Sequence, residues 1–240
     1  MLVQYLESQG AIALLALEPP RLAVNPPASS FVERNMPLTL KIKVFSDYVC
    51  PYCFLAEFPL EAAIQGKDVE VEWIPFELRP LPQATLKPED DYLQTVWQQS
   101  VYPLARKMGV EIKLPTISPQ PHTHLAFEGY QYAREHGKAN EYNDRLLRAF
   151  FQEDLDIGNI EILTQLAGEI GLDGKEFRES LETRRSKTAH QQALEQTRKE
   201  IGITSVPTFI IGDRILPGLL SQESLERAIN RALEGNLSEK

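Results

Sequence analysis

The hydrophobic period of this chain changes twice along its length, and that limits the folds open to it. Leu40 to Phe45 (LKIKVF) alternates apolar residues with lysine, the period of a half-buried strand. Pro51 to Ile64 then carries Phe54, Leu55, Phe58 and Ala62 at helical spacing, and Pro51 suits a first helical position, where its missing N–H costs nothing. Val69 to Phe76 (VEVEWIPF) alternates again after the break at Gly66-Lys67-Asp68. Strand, helix, strand in this order predicts a parallel βαβ unit. Pro59, inside the helical stretch, predicts a kink or a division into two helices.

Residues 77–90 hold three prolines and read as a loop. Beyond it the period is helical for about 110 residues, with candidate helices at 91–108, 121–137, 140–153, 159–170, 173–182 and 186–201. Gly109, Gly137, Gly158 and Gly171 mark the breaks, and Pro103 is the weak point of the first helix. The tail reverts to β. Ser205 to Ile211 (SVPTFII), a Gly212-Asp213 turn and Arg214 to Leu216 predict a hairpin. Ser221 then caps a last helix whose apolar face is Leu225, Ala228, Ile229, Ala232 and Leu233. The class is therefore α/β: βαβ, a helical block, then ββα. It divides into a leader at 1–37, an α/β part at 38–80 and 202–236, and an inserted helical part at 81–201. Five prolines between residues 19 and 37 predict an irregular leader. The apolar run Ala11 to Leu17 has no Lys or Arg before it and Glu18-Pro19-Pro20 directly after, which argues against a secretory signal. Met36 offers a second start just before the first strand.

Both cysteines of the 240-residue chain fall in SDYVCPYCFL, Ser46 to Leu55, at the expected strand-to-helix junction. Residues three apart on a helix are neighbours, with Cβ atoms roughly 5–6 Å apart, so Cys50 and Cys53 can form a disulfide after modest adjustment. With Cys50 at the helix N-cap, its sulfur faces the free N–H groups of the first turn, which favours thiolate; Cys53, one turn in, is expected to be more buried. Cys50 then attacks or is attacked, and Cys53 resolves the mixed disulfide. A permanent staple closing so small a loop restricts the unfolded chain little. A zinc site needs two more ligands, and His122 and His124 lie in an unrelated segment, so a redox pair is favoured over a metal site. The net charge of −9 argues against nucleic acid or an anionic membrane as partner. No stretch approaches the roughly 18 apolar residues of a membrane span. A cytoplasmic location follows as the expectation, and there a CxxC pair is catalytic or metal-binding more often than structural.

A second element is Ser205-Val206-Pro207-Thr208-Phe209. On residue chemistry alone it is a strand start with an ordinary trans proline. Asp47, three residues before Cys50, reads mainly as a turn residue, with proton transfer as the other option. Of Tyr52 and Phe54, one is expected at the surface facing substrate and the other buried. Arg79 reads as a solvated loop residue that could also meet a carboxylate, and Thr123 or His122 as a neighbour of the active-site groove.

CPYC after a strand, with TSVPTF opening a hairpin near the C-terminus, resembles the thioredoxin fold. The helical block between them resembles DsbA-type proteins. The phrases SDYVCPYC, WIPFELRP (Trp73–Pro80), RLLRAFFQEDLDIGN (Arg145–Asn159), LAGEIGLD (Leu166–Asp173) and GITSVPTFIIG (Gly202–Gly212) are similar to the FrnE-like branch of that family. The resemblance implies a thioredoxin-like fold with a large helical insertion and a thiol–disulfide oxidoreductase activity. Within it Cys50 is the nucleophile and Cys53 the resolving cysteine. Val206-Pro207 forms a cis-proline loop whose backbone pairs with substrate, beside Pro51 and Tyr52. It implies protein or small-thiol disulfide substrates, no tightly bound cofactor, no metal, and glutathione as a candidate co-substrate. Two alternatives stay open. One is a glutathione-dependent transferase or isomerase, akin to the kappa-class transferases and 2-hydroxychromene-2-carboxylate isomerases, which carry serine where this chain has Cys50. The other is a peptide-binding folding helper in which the dithiol is incidental.

Overall fold

The computed structural model describes residues 39–238; the leader expected at 1–37 lies outside the described residues. β1 (Leu40–Ser46), α1 (Pro51–Ile64) and β2 (Val69–Pro75) form the parallel unit, with Leu40 opposite Val69 and Ser46 opposite Pro75. β3 (Thr208–Ile211) runs antiparallel to β1, and β4 (Arg214–Pro217) antiparallel to β3, giving the order β2-β1-β3-β4. Gly212 turns this hairpin at φ 60°, a conformation open to glycine at little cost. The pleat of β1 sends Ile42 and Val44 into the main core and Phe45 into a second cluster with Phe76 and Ile203. Val206 packs on that second cluster, which fixes the loop ahead of β3 close to the end of β1.

Between β2 and β3 the regular elements are all helical: α2 (Asp91–Val96), a π-helical turn at Trp97–Val101, α3 (Tyr102–Met108), α4 (His124–Glu135), α5 (Ala139–Phe151), α6 (Ile160–Glu169), α7 (Gly174–Glu182), α8 (Lys187–Glu195) and a second π turn at Gln196–Glu200. α9 (Gln222–Ser238) closes the described chain, and the Ser221 hydroxyl accepts from the Ser224 amide at 3.3 Å as its cap. Asn159 and Asp173 cap α6 and α7 in the same manner. The helix expected at 91–108 is interrupted just before Pro103. Proline cannot donate to the carbonyl four residues back, and the turn widens there, with the Tyr102 amide reaching the Trp97 carbonyl.

Two expectations need correction. α1 runs unbroken from Pro51 to Ile64 with Pro59 inside it, so the proline does not divide it. The cost of that proline, about 3 kcal/mol, is offset by packing: α1 lies against α5 and α9. Phe54 stacks on Phe151 at 5.5 Å, both fully buried, and such side chains contribute roughly 1.5–3 kcal/mol each. The strand expected from Ser205 begins only at Thr208, because Pro207 has no N–H to give a ladder.

Candidate active site

Cys50 is the N-cap of α1, in an extended conformation (φ −92°, ψ 112°), with Pro51 at the first helical position. Its carbonyl accepts from the amides of Cys53 (3.0 Å) and Phe54 (3.3 Å), which closes the first turn and brings the second thiol back toward the first. Both thiols are free and buried, Cys50 at 4% exposure and Cys53 at 1%. Burial pushes the Cys53 thiol well above its ordinary range, and the adjacent Cys50 thiol adds to the rise. The Asp47 backbone and the Ser46 side chain oppose it. Cys53 is thus held as a thiol behind Cys50.

The Val206 loop meets this pair from the far end of the sequence. The Cys50 Sγ lies 3.8 Å from the Val206 carbonyl oxygen, and the Val206–Pro207 peptide is cis. Pro207 is buried, and its carbonyl accepts from the Gly218 amide at 2.8 Å, so the hairpin itself holds the loop in place.

Asp47 takes the turn role expected of it, and its side chain adds a structural tie. As a turn residue, its carbonyl accepts from the Cys50 amide at 3.0 Å. Its carboxylate, almost fully buried, accepts from the Leu78 amide at 2.7 Å and so ties the end of β2 to the dithiol segment. Burial pushes this carboxyl up to about 6. The Leu78 amide and the Thr123 hydroxyl restrain the rise, while the charge of Glu77 adds to it.

A cleft of about 330 Å³ opens over Cys50. Asp47, Cys50, Pro51, Tyr52 and Val206 form its floor, while Cys53 does not reach it. The helical block supplies Tyr92, Leu93, Val96, Trp97, Gln120 and Thr123 as walls, and the 77–90 loop adds Leu78, Arg79 and Gln83. Of the paired aromatics, Tyr52 is half-buried at the cleft and Phe54 is fully buried. Thr123 sits on the wall. His122 instead holds the loop through its Nδ1, 3.1 Å from the Arg79 carbonyl, and Arg79 itself donates to the Ala84 carbonyl at 3.4 Å. The sequence reading missed Tyr92 and Trp97. No group of three or more His, Cys, Asp or Glu among the described residues could hold a metal ion.

Comparison with known proteins identifies the fold and the family. The DSBA-like thioredoxin domain family matches residues 41–230. The uncharacterized protein YwbO of Bacillus subtilis (strain 168) is 54% identical over 194 residues, covering 80% of this chain and 97% of that protein. Among solved structures, a probable DsbA oxidoreductase from Streptomyces coelicolor superposes with a TM-score of 0.68 at 21% identity, over 81% of this chain and 90% of that one. The cytosolic disulfide reductase DsbM from Pseudomonas aeruginosa, solved also with GSH, gives 0.55 at 18% identity, over 83% and 98%. The family match spans most of the chain and the relative is more than half identical to it, so this chain belongs to the DSBA-like thioredoxin domain family.

Proposed function

We propose that the protein is a thiol–disulfide oxidoreductase of the FrnE-like branch, with Cys50 as nucleophile and Cys53 as resolving cysteine. The observation that carries this reading is the asymmetry of the two thiols: Cys50 lines the cleft at a helix N-terminus, and Cys53 is shut behind it. In the reductive direction the Cys50 sulfur attacks a substrate disulfide, forming a mixed disulfide and releasing one substrate thiol. Cys53 then attacks the Cys50 sulfur, the Cys50–Cys53 bond forms, and the second substrate thiol leaves with two electrons gained by the substrate. The oxidative direction is the reverse. Val206 and Pro207, with Pro51 and Tyr52, hold the substrate segment beside Cys50, the Val206 backbone pairing with it as a short bridge. Cleft volume and mixed lining suit an extended cysteine-containing segment or a small thiol. Arg79, Gln83 and Gln120 offer polar contacts for glutathione as co-substrate, and the likeness to DsbM, solved with GSH, supports that choice. We place the activity in the cytoplasm, consistent with the cytosolic DsbM. No helix among the described residues is long and apolar enough to cross a membrane.

Insulin reduction with glutathione or dithiothreitol as electron donor tests the reading. Wild type is expected to be active and Cys50→Ser inactive; equal rates would end it. A glutathione-dependent transferase or isomerase is disfavoured by the second thiol behind Cys50, and turnover of an electrophile that survives Cys53→Ser would revive it. Substrate holding that is indifferent to both Cys→Ser changes would point instead to a folding helper.

A further inference from the structure

The loop that follows β2 is a wall between two cavities. Leu78 and Arg79 line the cleft over Cys50. Glu77, Pro80 and Leu81 border a second cavity of about 320 Å³, together with Arg184 and His190. Glu77 and His190 do not line the cleft, and both are buried, at 3% and 2% exposure. The His190 Nε2 lies 2.6 Å from the Glu77 Oε1, so this ring nitrogen donates to the carboxylate. The Arg198 guanidinium donates to the Glu77 carbonyl and lies over the Phe76 ring, 5.1 Å from its centroid. The next amide along the chain, that of Leu78, is the one that holds the Asp47 carboxylate at 2.7 Å. A second route leaves the same histidine. Its ring stacks on Phe127 at 5.4 Å, and Phe127 packs on Tyr48 at 4.7 Å. Both routes run from α8 in the helical block to the turn ahead of Cys50, at Asp47 and Tyr48.

We infer that His190 is a positioning residue for substrate binding: through Glu77 it sets the Leu78–Arg79 wall of the cleft and the tie from Leu78 to Asp47, from a place behind that wall. This deepens the proposed thiol–disulfide reading and rests on it. A buried carboxylate needs a donor. Without the His190 N–H, Glu77 is left short of one and shifts toward the second cavity. Peptide planes are rigid, so a shift of the Glu77 backbone carries into the Leu78 amide, and from there into Asp47 and the cleft wall. Cys50 is held by other contacts: its amide donates to the Asp47 carbonyl, and its sulfur lies beside the Val206 carbonyl. The strut therefore acts on how substrate is bound rather than on the exchange step. Its loss removes uniform binding, which raises KM and leaves kcat in place.

The test is steady-state reduction of a peptide disulfide by the full chain, paired with amide hydrogen exchange over residues 76–80 read by mass spectrometry. His190→Ala is expected to raise KM by about fivefold, the scale of one net hydrogen bond. Its kcat and the alkylation rate of reduced Cys50 should hold, while exchange at 76–80 speeds up. His190→Gln, whose side-chain amide can donate to Glu77 in place of Nε2, should restore the wild-type KM. Glu77→Ala should show the same loss as His190→Ala, and the double variant no more than either, since both remove one contact. Arg184→Ala breaks a different pair at the same cavity and should leave KM at the wild-type value. Wild-type KM in His190→Ala, an additive double variant, or an equal rise in KM for Arg184→Ala would each overturn the role of His190. If His190→Ala fails to fold, His190→Asn, whose amide stops short of Glu77, should carry the same loss, and a wild-type KM there counts against the inference. A wild-type chain that turns over no disulfide would end the exchange chemistry instead. Hydrogen exchange would then still decide the strut, and unchanged rates at 76–80 in His190→Ala would overturn it.

Discussion

In the helical block, buried charge meets a partner. Glu128 is fully buried and receives two hydrogen bonds from Arg184, at 2.8 and 2.6 Å. Arg145 bridges Glu153 and Glu169. The twelve residues from Ser46 to Glu57 differ. Ser46 Oγ, Asp47 Oδ1, Tyr48 OH and Glu57 Oε2 are buried without partners, four of the nine such atoms among the described residues. Each unpartnered polar group costs about 1–3 kcal/mol, so this short segment is held in place by the packing around it. The block and sheet stabilise the fold, and the dithiol segment draws on that stability to bury the Asp47 and Glu57 carboxyls and the Cys53 thiol, each of which then holds its proton more tightly than in water.

The sharpest break of that contrast is Cys50→Ser, expected to lower disulfide exchange by at least about a hundredfold with little change in chemical-denaturation midpoint. Next is Arg184→Ala. It strands the Glu128 carboxylate in the block and is expected to lower unfolding free energy by about 3 kcal/mol, read by urea titration, without altering the reactivity of Cys50.

Asp47→Asn should act in the opposite sense. The folded-state value of Asp47, about 6, lies above its reference of 3.8. The cost of its charge is absent below about pH 4, grows between 4 and 6, and is fully present above 6. The amide oxygen of Asn can still accept from Leu78, so at pH 8 the variant is expected to be more stable by up to about 3 kcal/mol. Wild type and variant should converge near pH 4; a constant gap across pH would contradict the assignment. The smallest effect is expected from Tyr92→Ala on the exposed lip of the cleft. It should raise KM for a peptide disulfide by about fivefold, or about 1 kcal/mol, with stability unchanged.

Period and punctuation made much of the fold readable. Alternation marked β1 and β2, Pro51 marked the start of α1, and Gly212 marked the hairpin. The structure places Cys50 and Val206 side by side although 156 positions separate them; residue chemistry alone gave Pro207 only as a strand start, and the family resemblance supplied its partner. Tyr92, Trp97 and Glu57 were hidden for a different reason. A cleft wall built by tertiary packing leaves no local pattern, and a glutamate between Ala56 and Phe58 reads as the polar face of a helix until α5 is packed over it. The division allowed at Pro59 does not occur, because propensity is local while the packing that offsets it is not.

The central claim is that Cys50 and Cys53 cycle as one redox pair in which Cys50, lining the cleft, meets the substrate. Equilibration of the full chain across a range of glutathione redox ratios, followed by acid trapping and mass analysis, tests it most directly. The account predicts one reversible two-electron transition between dithiol and intramolecular disulfide. Cys53→Ser should instead accumulate a mixed disulfide with glutathione on Cys50, and Cys50→Ser should form neither product. A wild-type chain that stays reduced across the whole range, or an adduct found on Cys53 with Cys50 untouched, would contradict it.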